Sequence, residues 1–295
     1  MPLTSIIIAT HSRPQLLPNA VASAYEAGAE IEVVVVDDAS TDETASVCKQ
    51  LPNIKYVRLD RNQGVAGARN VGLMESAGEF CGFLDDDDLR LPNSIDEQLQ
   101  LLNSYPTAAL VYGQALIANS DGTATDDLYP RVAPQGNVFW QLVQQNFIPC
   151  GSAIFRRSNL MAVGLLDDAI PGIDDWDLWV RMSEIFEIRA VEHPVMVWRK
   201  SDPGSGQGTS NAPRMVALAQ NQFRHWMNLP IAAAATRSQR REASTAFSEN
   251  IAAHLVWDAG RSLKTGKRKR AIGEVWRAMM DHPRGIAALA RRRRG

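Results

Sequence analysis

Through its first two hundred residues the chain alternates short, unbroken apolar runs with stretches of helical periodicity. Residues 3–9, 31–36, 54–59 and 80–84 each predict a strand, and the run of Ile in the first points to burial on both faces, as in a parallel sheet. Pro14 predicts a helix start, with the helix reaching about residue 28. Further helices are expected from the small-residue stretch near Gly64 to about residue 77 and from Pro92 to about 104. Strands follow at 108–112, 188–191 and 195–198. Between 113 and 150 the pattern loosens, with Asp121-Gly122 as a hairpin turn and a short helix from Asn137 towards 145. The stretch from Asn146 to Arg157 reads as a loop and strand, with a helix start at Ser158. No internal repeat or low-complexity block interrupts this β-α-β order.

The polar residues that matter sit where the strands end. In an open α/β sheet ligands bind beyond the carboxyl ends of the strands, so Thr10 and His11 after the first strand and Asp37 and Asp38 after the second converge on one crevice. Ser40 or Thr41 as a helix cap explains part of that second cluster, but not the doubled aspartate. The fourth strand runs into Asp85-Asp86-Asp87-Asp88, four like charges that call for a compensating cation unless they form a solvated acidic turn. Asp85 and Asp87 share a face of an extended segment, and hard oxygen ligands suit Mg²⁺ or Mn²⁺. Small residues from Gly64 to Gly72 place backbone amides and Arg69 near the same crevice, although the spacing is neither a dinucleotide fingerprint nor a Walker loop. A second acidic group, Asp174-Asp175-Trp176-Asp177, either decorates a helix N-terminus or carries chemistry.

Composition adds an asymmetry. The 295 residues are 45% apolar, enough for a sizeable core, and the net charge is −2. Residues 211–295 carry 17 Lys/Arg against 5 Asp/Glu, which leaves −14 for residues 1–210. Two parts are therefore expected: 1–210 and a basic helical extension over 211–295. The three cysteines show no paired spacing, and neither a standard secretion signal nor an apolar run of about 18 residues is present; a reducing cytoplasm is the expected location.

Four motifs in order carry a resemblance. A strand ending in Thr10, then Asp37-Asp38-Ala39-Ser40-Thr41-Asp42, then Asn62-x-Gly64 with Ala68-Arg69-Asn70-x-Gly72, then Phe83-Leu84-Asp85-x-Asp87-Asp88 with Pro92, together resemble the nucleotide-sugar half of a family 2 glycosyltransferase. The resemblance covers about residues 3–200 and implies a GT-A fold: a Rossmann-like, mostly parallel sheet flanked by helices, with 1–112 as its nucleotide-sugar half and 113–210 as its acceptor half, here followed by a C-terminal helical extension. It implies an inverting, metal-dependent transfer of a sugar from a nucleotide-sugar, UDP-linked, to a glycan or lipid-linked acceptor, as in cell-surface polysaccharide assembly. By the same resemblance Thr10, His11, Arg13, Asp38, Arg69, Asp85 and Asp86 face the nucleotide. Asp87 binds Mn²⁺ or Mg²⁺, with Asp85 on the ribose or on the metal through water. Asp175 becomes the general base supported by Asp174, and Gly151 and Trp176 line the acceptor or sugar; Trp179 is expected in the core. Relatives often carry a His after the Trp-Arg pair, whereas this chain has Lys200-Ser201-Asp202, which leaves Asp202 as a substitute ligand in a Gly/Ser-rich loop suited to a lid. The alternative is a catalytically silent nucleotide-sugar-binding protein of the same fold.

The tail is legible without the family. Ile272, Val275, Trp276, Met279 and Met280 fall on one helical face, bracketed by Lys267–Arg270 and Arg291–Arg294. The stripe either packs on the catalytic domain or holds the protein at the inner face of an anionic membrane; nucleic acid is not expected as a partner.

Overall fold

The first strand, β1 (Thr4–Thr10), is covered on both sides, and its three isoleucines are at most 1% exposed in the computed structural model, which describes residues 4–200, 212–264, 266–283 and 285–287. These fall into two compact units, one within residues 1–138 and 147–205, the other within 139–146 and 206–295. In the first unit β1 lies between β2 (Ile31–Asp37) and β4 (Phe80–Asp85), and β3 (Lys55–Arg58) adds beyond β2, all parallel. The sheet continues through β8 (Ile154–Arg156), β6 (Ala108–Ala118), β9 (Glu187–Arg199) and β5 (Leu89–Arg90); β6 and β9 are parallel, and β8, β5 and the outlying β7 (Ala124–Tyr129) pair antiparallel.

Several boundaries differ from the sequence reading. Helix α1 is Leu17–Glu26, with Pro18 rather than Pro14 in its first turn, because the chain first reverses through Ser12 at φ 55° and an Arg13–Leu16 turn. The two strands expected at 188–191 and 195–198 are one, β9, whose irregular register against the long β6 passes Pro194 without ending the pairing. The remaining helices of this unit are α2 (Thr44–Gln50), α3 (Gly64–Glu75), α4 (Ser94–Ser104), α6 (Leu160–Val163) and α7 (Asp174–Ile185). Helix α5 (Phe139–Gln144), expected to shape the acceptor half, groups instead with the C-terminal helices.

Helix α3 packs so closely on β1 that a Cβ at Gly72 would lie 2.3 Å from Ile7 Cγ2. Ile7 is fully buried and β-branched and has no rotamer in reserve. Gly72→Ala is expected to destabilise the protein despite the ~1 kcal/mol helix-propensity gain, since overpacking costs about 1–3 kcal/mol; urea unfolding monitored by circular dichroism checks it.

In the second unit α8 (Ala212–Trp226), α9 (Pro230–Ala234), α10 (Arg237–Lys264) and α11 (Arg268–Asp281) surround a core containing Trp226, Phe247 and Leu255. Phe223 stacks on Phe247 with ring centroids 4.3 Å apart. The last two helices form an antiparallel hairpin, with Ser262 donating to Glu274 near the turn and Ser248 meeting His282 far from it. Helix α11 approaches α10 through Ala271, Glu274 and Ala278, whose small alanines permit close contact, while Arg270 and Ser262 satisfy the Glu274 carboxylate. The larger stripe of Ile272, Val275, Trp276, Met279 and Met280 points away from α10 and is exposed. Arg291–Arg294 lie outside the described residues.

Candidate active site

Strand register sets the crevice. Thr10 lies opposite Asp37, and Ala9 opposite Asp85, so three parallel strands end together and deliver their polar residues to one sheet edge. Backbone at positive φ follows two of these ends, at Ser12 (55°) and Ala39 (59°), the locally costly geometry that functional sites tend to hold.

The doubled aspartate divides its labour. Asp37 is fully buried and structural, accepting from the Ser40 amide at 2.8 Å and the Tyr56 hydroxyl at 2.8 Å. Asp38 accepts the amides of Gln63 (2.6 Å) and Gly64 (2.9 Å), so its carboxylate caps the positive end of α3. The exposed His11 donates from Nδ1 to the Asp38 carbonyl at 2.7 Å, which leaves Nε2 as an acceptor in the neutral ring.

In the acidic run alternate residues also differ. Asp86 is buried, accepts from Thr10 Oγ1 at 2.6 Å and from Arg13 at 2.9 Å, and burial pushes its carboxyl up to about 6 against the pull of Arg13. Asp88 is buried at the next turn, accepts the Arg199 amide at 2.8 Å, and is pushed up by burial and by Asp85 and Asp87. Asp85 meets Arg69 at 2.6 Å, and Asp87 shares Arg13 with Asp86, at 3.1 Å. The Asp85 side chain is 42% exposed.

Arg69 ties the two acidic groups together. Its buried guanidinium lies over the Phe83 ring and bonds Asp85 on one side and Asp174 Oδ2, at 3.0 Å, on the other. Asp174 also accepts the Gly172 amide at 3.0 Å, and Asn70 of α3 grips both backbone groups of Leu166, fixing the chain that leads into α7. The next residue, Asp175, accepts the Trp176 amide at 2.7 Å, and burial followed by repulsion from Asp174 pushes its carboxyl up to about 7, with Arg69 pulling the other way. A carboxyl of that kind beside a cation-lined crevice is suited to taking a proton near neutral pH.

The family profile for glycosyl transferase family 2 matches residues 5–164, more than half of the chain. The chain belongs to this family. Among relatives of this glycosyltransferase, an uncharacterized glycosyltransferase of Bacillus subtilis (strain 168) is 25% identical over 267 residues, covering 86% of this chain and 95% of the relative. One from Rickettsia felis is 27% identical over 76% of this chain, and here the chain spans only 38% of the relative's length. A Campylobacter jejuni GalNAc(5)-diNAcBac-PP-undecaprenol beta-1,3-glucosyltransferase is 39% identical over 124 residues, 40% of this chain and 39% of that protein. Among solved structures, S. aureus TarS 1–349 covers 96% of this chain and 92% of its own, at TM-score 0.56 and 16% identity. The Pyrobaculum calidifontis mannosyltransferase PcManGT, in complex with GDP-Man and Mn²⁺, covers 95% and 88% at TM-score 0.59 and 20% identity. The α/β architecture of the glycosyltransferase is thus the GT-A fold, followed by C-terminal helices.

Of the residues expected in the site of this glycosyltransferase, Thr10, Arg13, Asp86 and Asp87 form one contact group and Arg69, Asp85 and Asp174 another, with Asp175 within electrostatic reach of Arg69 and Asp174. Trp176 is buried at 8% exposure, and Trp179 is in the core. Gly151 is buried too, where a Cβ would come within 2.9 Å of Met196 Cε, so its missing side chain is a packing requirement. Two participants escaped the sequence reading. Cys150, read there as an unpaired cysteine within the 146–157 loop and strand and given no role of its own, lies within electrostatic reach of Arg69, Asp85, Asp174 and Asp175, and its thiol is pushed up mainly by burial. Arg90, at 3% exposure, donates to the Gly151 carbonyl at 2.7 Å and to Gln98, which itself donates to the Ser152 carbonyl at 2.8 Å. This pair pins the 150–152 turn from beneath, and burial lowers Arg90 to about 9. Its position straight after Asp85–Leu89 was the available signal. Lys200 ends the described part of this loop; Asp202 and the expected lid lie outside the described residues.

Proposed function

We propose that the protein is an inverting glycosyltransferase that moves a sugar from a UDP-linked donor to a hydroxyl of a glycan or lipid-linked acceptor, as in cell-surface polysaccharide assembly. The observation that carries this reading is Arg69, whose guanidinium joins the acidic end of β4 to the acidic start of α7, so that groups suited to a diphosphate and a group suited to a hydroxyl proton adjoin one crevice. The uridine donor is proposed on the TarS complexes with UDP and UDP-GlcNAc, beside which PcManGT takes GDP-Man, and the lipid-linked acceptor on the Campylobacter relative's undecaprenol-linked substrate.

In this reading Thr10, His11 and Asp38 border the base, with Asp38 acting through the amides it holds in place. Arg13, Arg69, Asp85 and Asp86 surround the ribose and phosphates. The hard oxygen donors on offer to a divalent cation are the carboxylates of Asp85 and Asp87, each paired with a guanidinium, and among the described residues no group of three or more His, Cys, Asp or Glu could hold an ion by itself. Such a set suits an ion that takes its remaining ligands from substrate phosphates and water, Mg²⁺ or Mn²⁺, held by Asp87 with Asp85 beside it. The ion would neutralise the charge that develops on the departing diphosphate. Asp175, steadied by its bond from the Trp176 amide, takes the proton of the acceptor hydroxyl, while Asp174 is held by Arg69 and keeps Asp175 basic through repulsion. Gly151 and Trp176 shape the acceptor side through the packing around Cys150 and α7.

A donor-hydrolysis screen over UDP- and GDP-sugars, with and without Mn²⁺, is expected to give metal-stimulated release of UDP from one or a few UDP-sugars. Product NMR on a competent acceptor is expected to show inversion at the anomeric carbon. Binding of nucleotide-sugars with neither hydrolysis nor transfer across the screen would return the silent binding protein in its place.

A further inference from the structure

Helix α11 has three faces. One, Ala271, Glu274 and Ala278, is buried against α10. A second carries Arg270, Arg277 and Asp281. The third is apolar and open: Ile272 is 69% exposed, Trp276 61%, Met280 62%, Met279 46% and Val275 39%. At 100° per residue these five span an arc of about 140°, the width of a face that ordinarily meets another apolar surface. Exposed Leu263, at 56%, continues the apolar surface at the end of α10 beside the turn.

The charges around this face have one sign. Lys264, Lys267, Arg268 and Lys269 are all exposed at the hairpin turn, and the helical positions of Arg268 and Lys269 fall on the same arc as the apolar stripe. Of the two acids within α11, Glu274 is buried at 1% exposure and engaged by Arg270, and Asp281 stands at the opposite end from the basic cluster. The stripe is made of Trp, Met and Ile on a convex helix, with a basic rim at one end. A bilayer with anionic headgroups offers that surface a plane of acyl chains under a layer of negative charge, and the match is both apolar and electrostatic. Among the described residues no helix is long and apolar enough to cross a membrane, so the association has to be interfacial.

We infer that the exposed face of α11, with the basic turn preceding it, docks the protein reversibly on an anionic lipid surface, the helix lying in the plane of the interface. This goes beyond sugar transfer and does not depend on which donor or acceptor is used.

The test uses the full chain in co-sedimentation with phosphatidylcholine vesicles containing about one-third phosphatidylglycerol, against pure phosphatidylcholine, at low salt and at about 0.5 M NaCl. Sedimentation with the anionic vesicles at low salt, release by salt and weak binding to phosphatidylcholine are expected. Trp276→Glu, at an exposed position that leaves the circular dichroism unchanged, should weaken anionic-vesicle binding at least about tenfold. The triple change Lys267→Gln, Arg268→Gln, Lys269→Gln should weaken it about a hundredfold while leaving the weak phosphatidylcholine binding alone. Three outcomes overturn the inference. One is full-length protein that stays in the supernatant with anionic vesicles at low salt. Another is a Trp276→Glu variant that binds vesicles as well as the parent. The third is a solution dimer that Trp276→Glu converts to monomer without changing vesicle binding, which would assign the face to a second copy of the chain.

Discussion

Asp87→Ala is expected to abolish turnover and to erase any dependence of UDP affinity on Mn²⁺, with the fold unchanged. The fold should survive because Arg13, which meets Asp87 at 3.1 Å, also meets Asp86 at 2.9 Å and so keeps a carboxylate partner. Removing the most suitable metal ligand forfeits charge stabilisation worth several kcal/mol at the leaving diphosphate, which corresponds to a rate loss of about 10²–10⁴-fold or more. Isothermal titration of UDP into parent and variant, each with and without Mn²⁺, separates binding from catalysis. Parent protein that binds UDP equally well in both conditions would remove Asp87 from its role, and with it the reading of Asp85-x-Asp87 as a cation site. Arg13 and Arg69 would then be left to meet a diphosphate without a metal ion.

The β-α-β framework was legible because its signal is strong and local. The Ile run of β1, the Val run of β2 and the Phe-rich run of β4 read as buried strands, whereas β3, broken by Lys55 and Arg58, is partly exposed; the rule that ligands collect at strand ends then placed Thr10, Asp38 and Asp85 together before any register was known. What sequence could not supply was the choice among partners available to one side chain. Asp38 could contact a ligand or cap a helix, and the cap is visible only once Gln63 and Gly64 are seen to present their amides to it. Asp85 and Asp87 are the more exposed pair, in step with alternation, whereas Asp86 and Asp88 are buried against Thr10, Arg13 and the Arg199 amide, contacts that span from 73 to 111 residues of chain. Arg90 was missed for a related reason. A charged residue after an acidic run reads as solvated, and its burial follows from a carbonyl of the 150–152 turn and a glutamine eight residues on. In α11 the pattern located the apolar stripe correctly but could not say which face meets α10, because close helix contact favours the small alanines over the larger side chains.

Asp175→Asn is expected to lower sugar transfer by about 10²–10⁴-fold while leaving UDP binding intact, since an amide of the same shape cannot accept a proton from the acceptor hydroxyl. The asparagine oxygen can still accept the Trp176 amide, so the first turn of α7 keeps its geometry. Its effect on stability has a definite sign. Burial and the neighbouring Asp174 raise the Asp175 carboxyl from its ordinary value to about 7, so the ionised form is disfavoured in the folded protein, and a neutral side chain should make the protein no less stable above that pH. Loss of transfer in a variant at least as resistant to urea at pH 8 would therefore report chemistry and not unfolding. The same raised value sets the pH profile of the parent enzyme: a base works only when deprotonated, so kcat/KM should climb with pH and level off above about 7, and that limb should vanish from the residual activity of the variant. Transfer by Asp175→Asn near the parent rate would leave Asp175 as a helix-start residue and pass the base to Asp174 or Asp177. Those two are already committed, Asp174 to Arg69 at 3.0 Å and Asp177 to Arg181 at 2.7 Å, whereas Asp175 has no ion pair within the described residues and stands beside the one cation that links it to the donor end of the crevice.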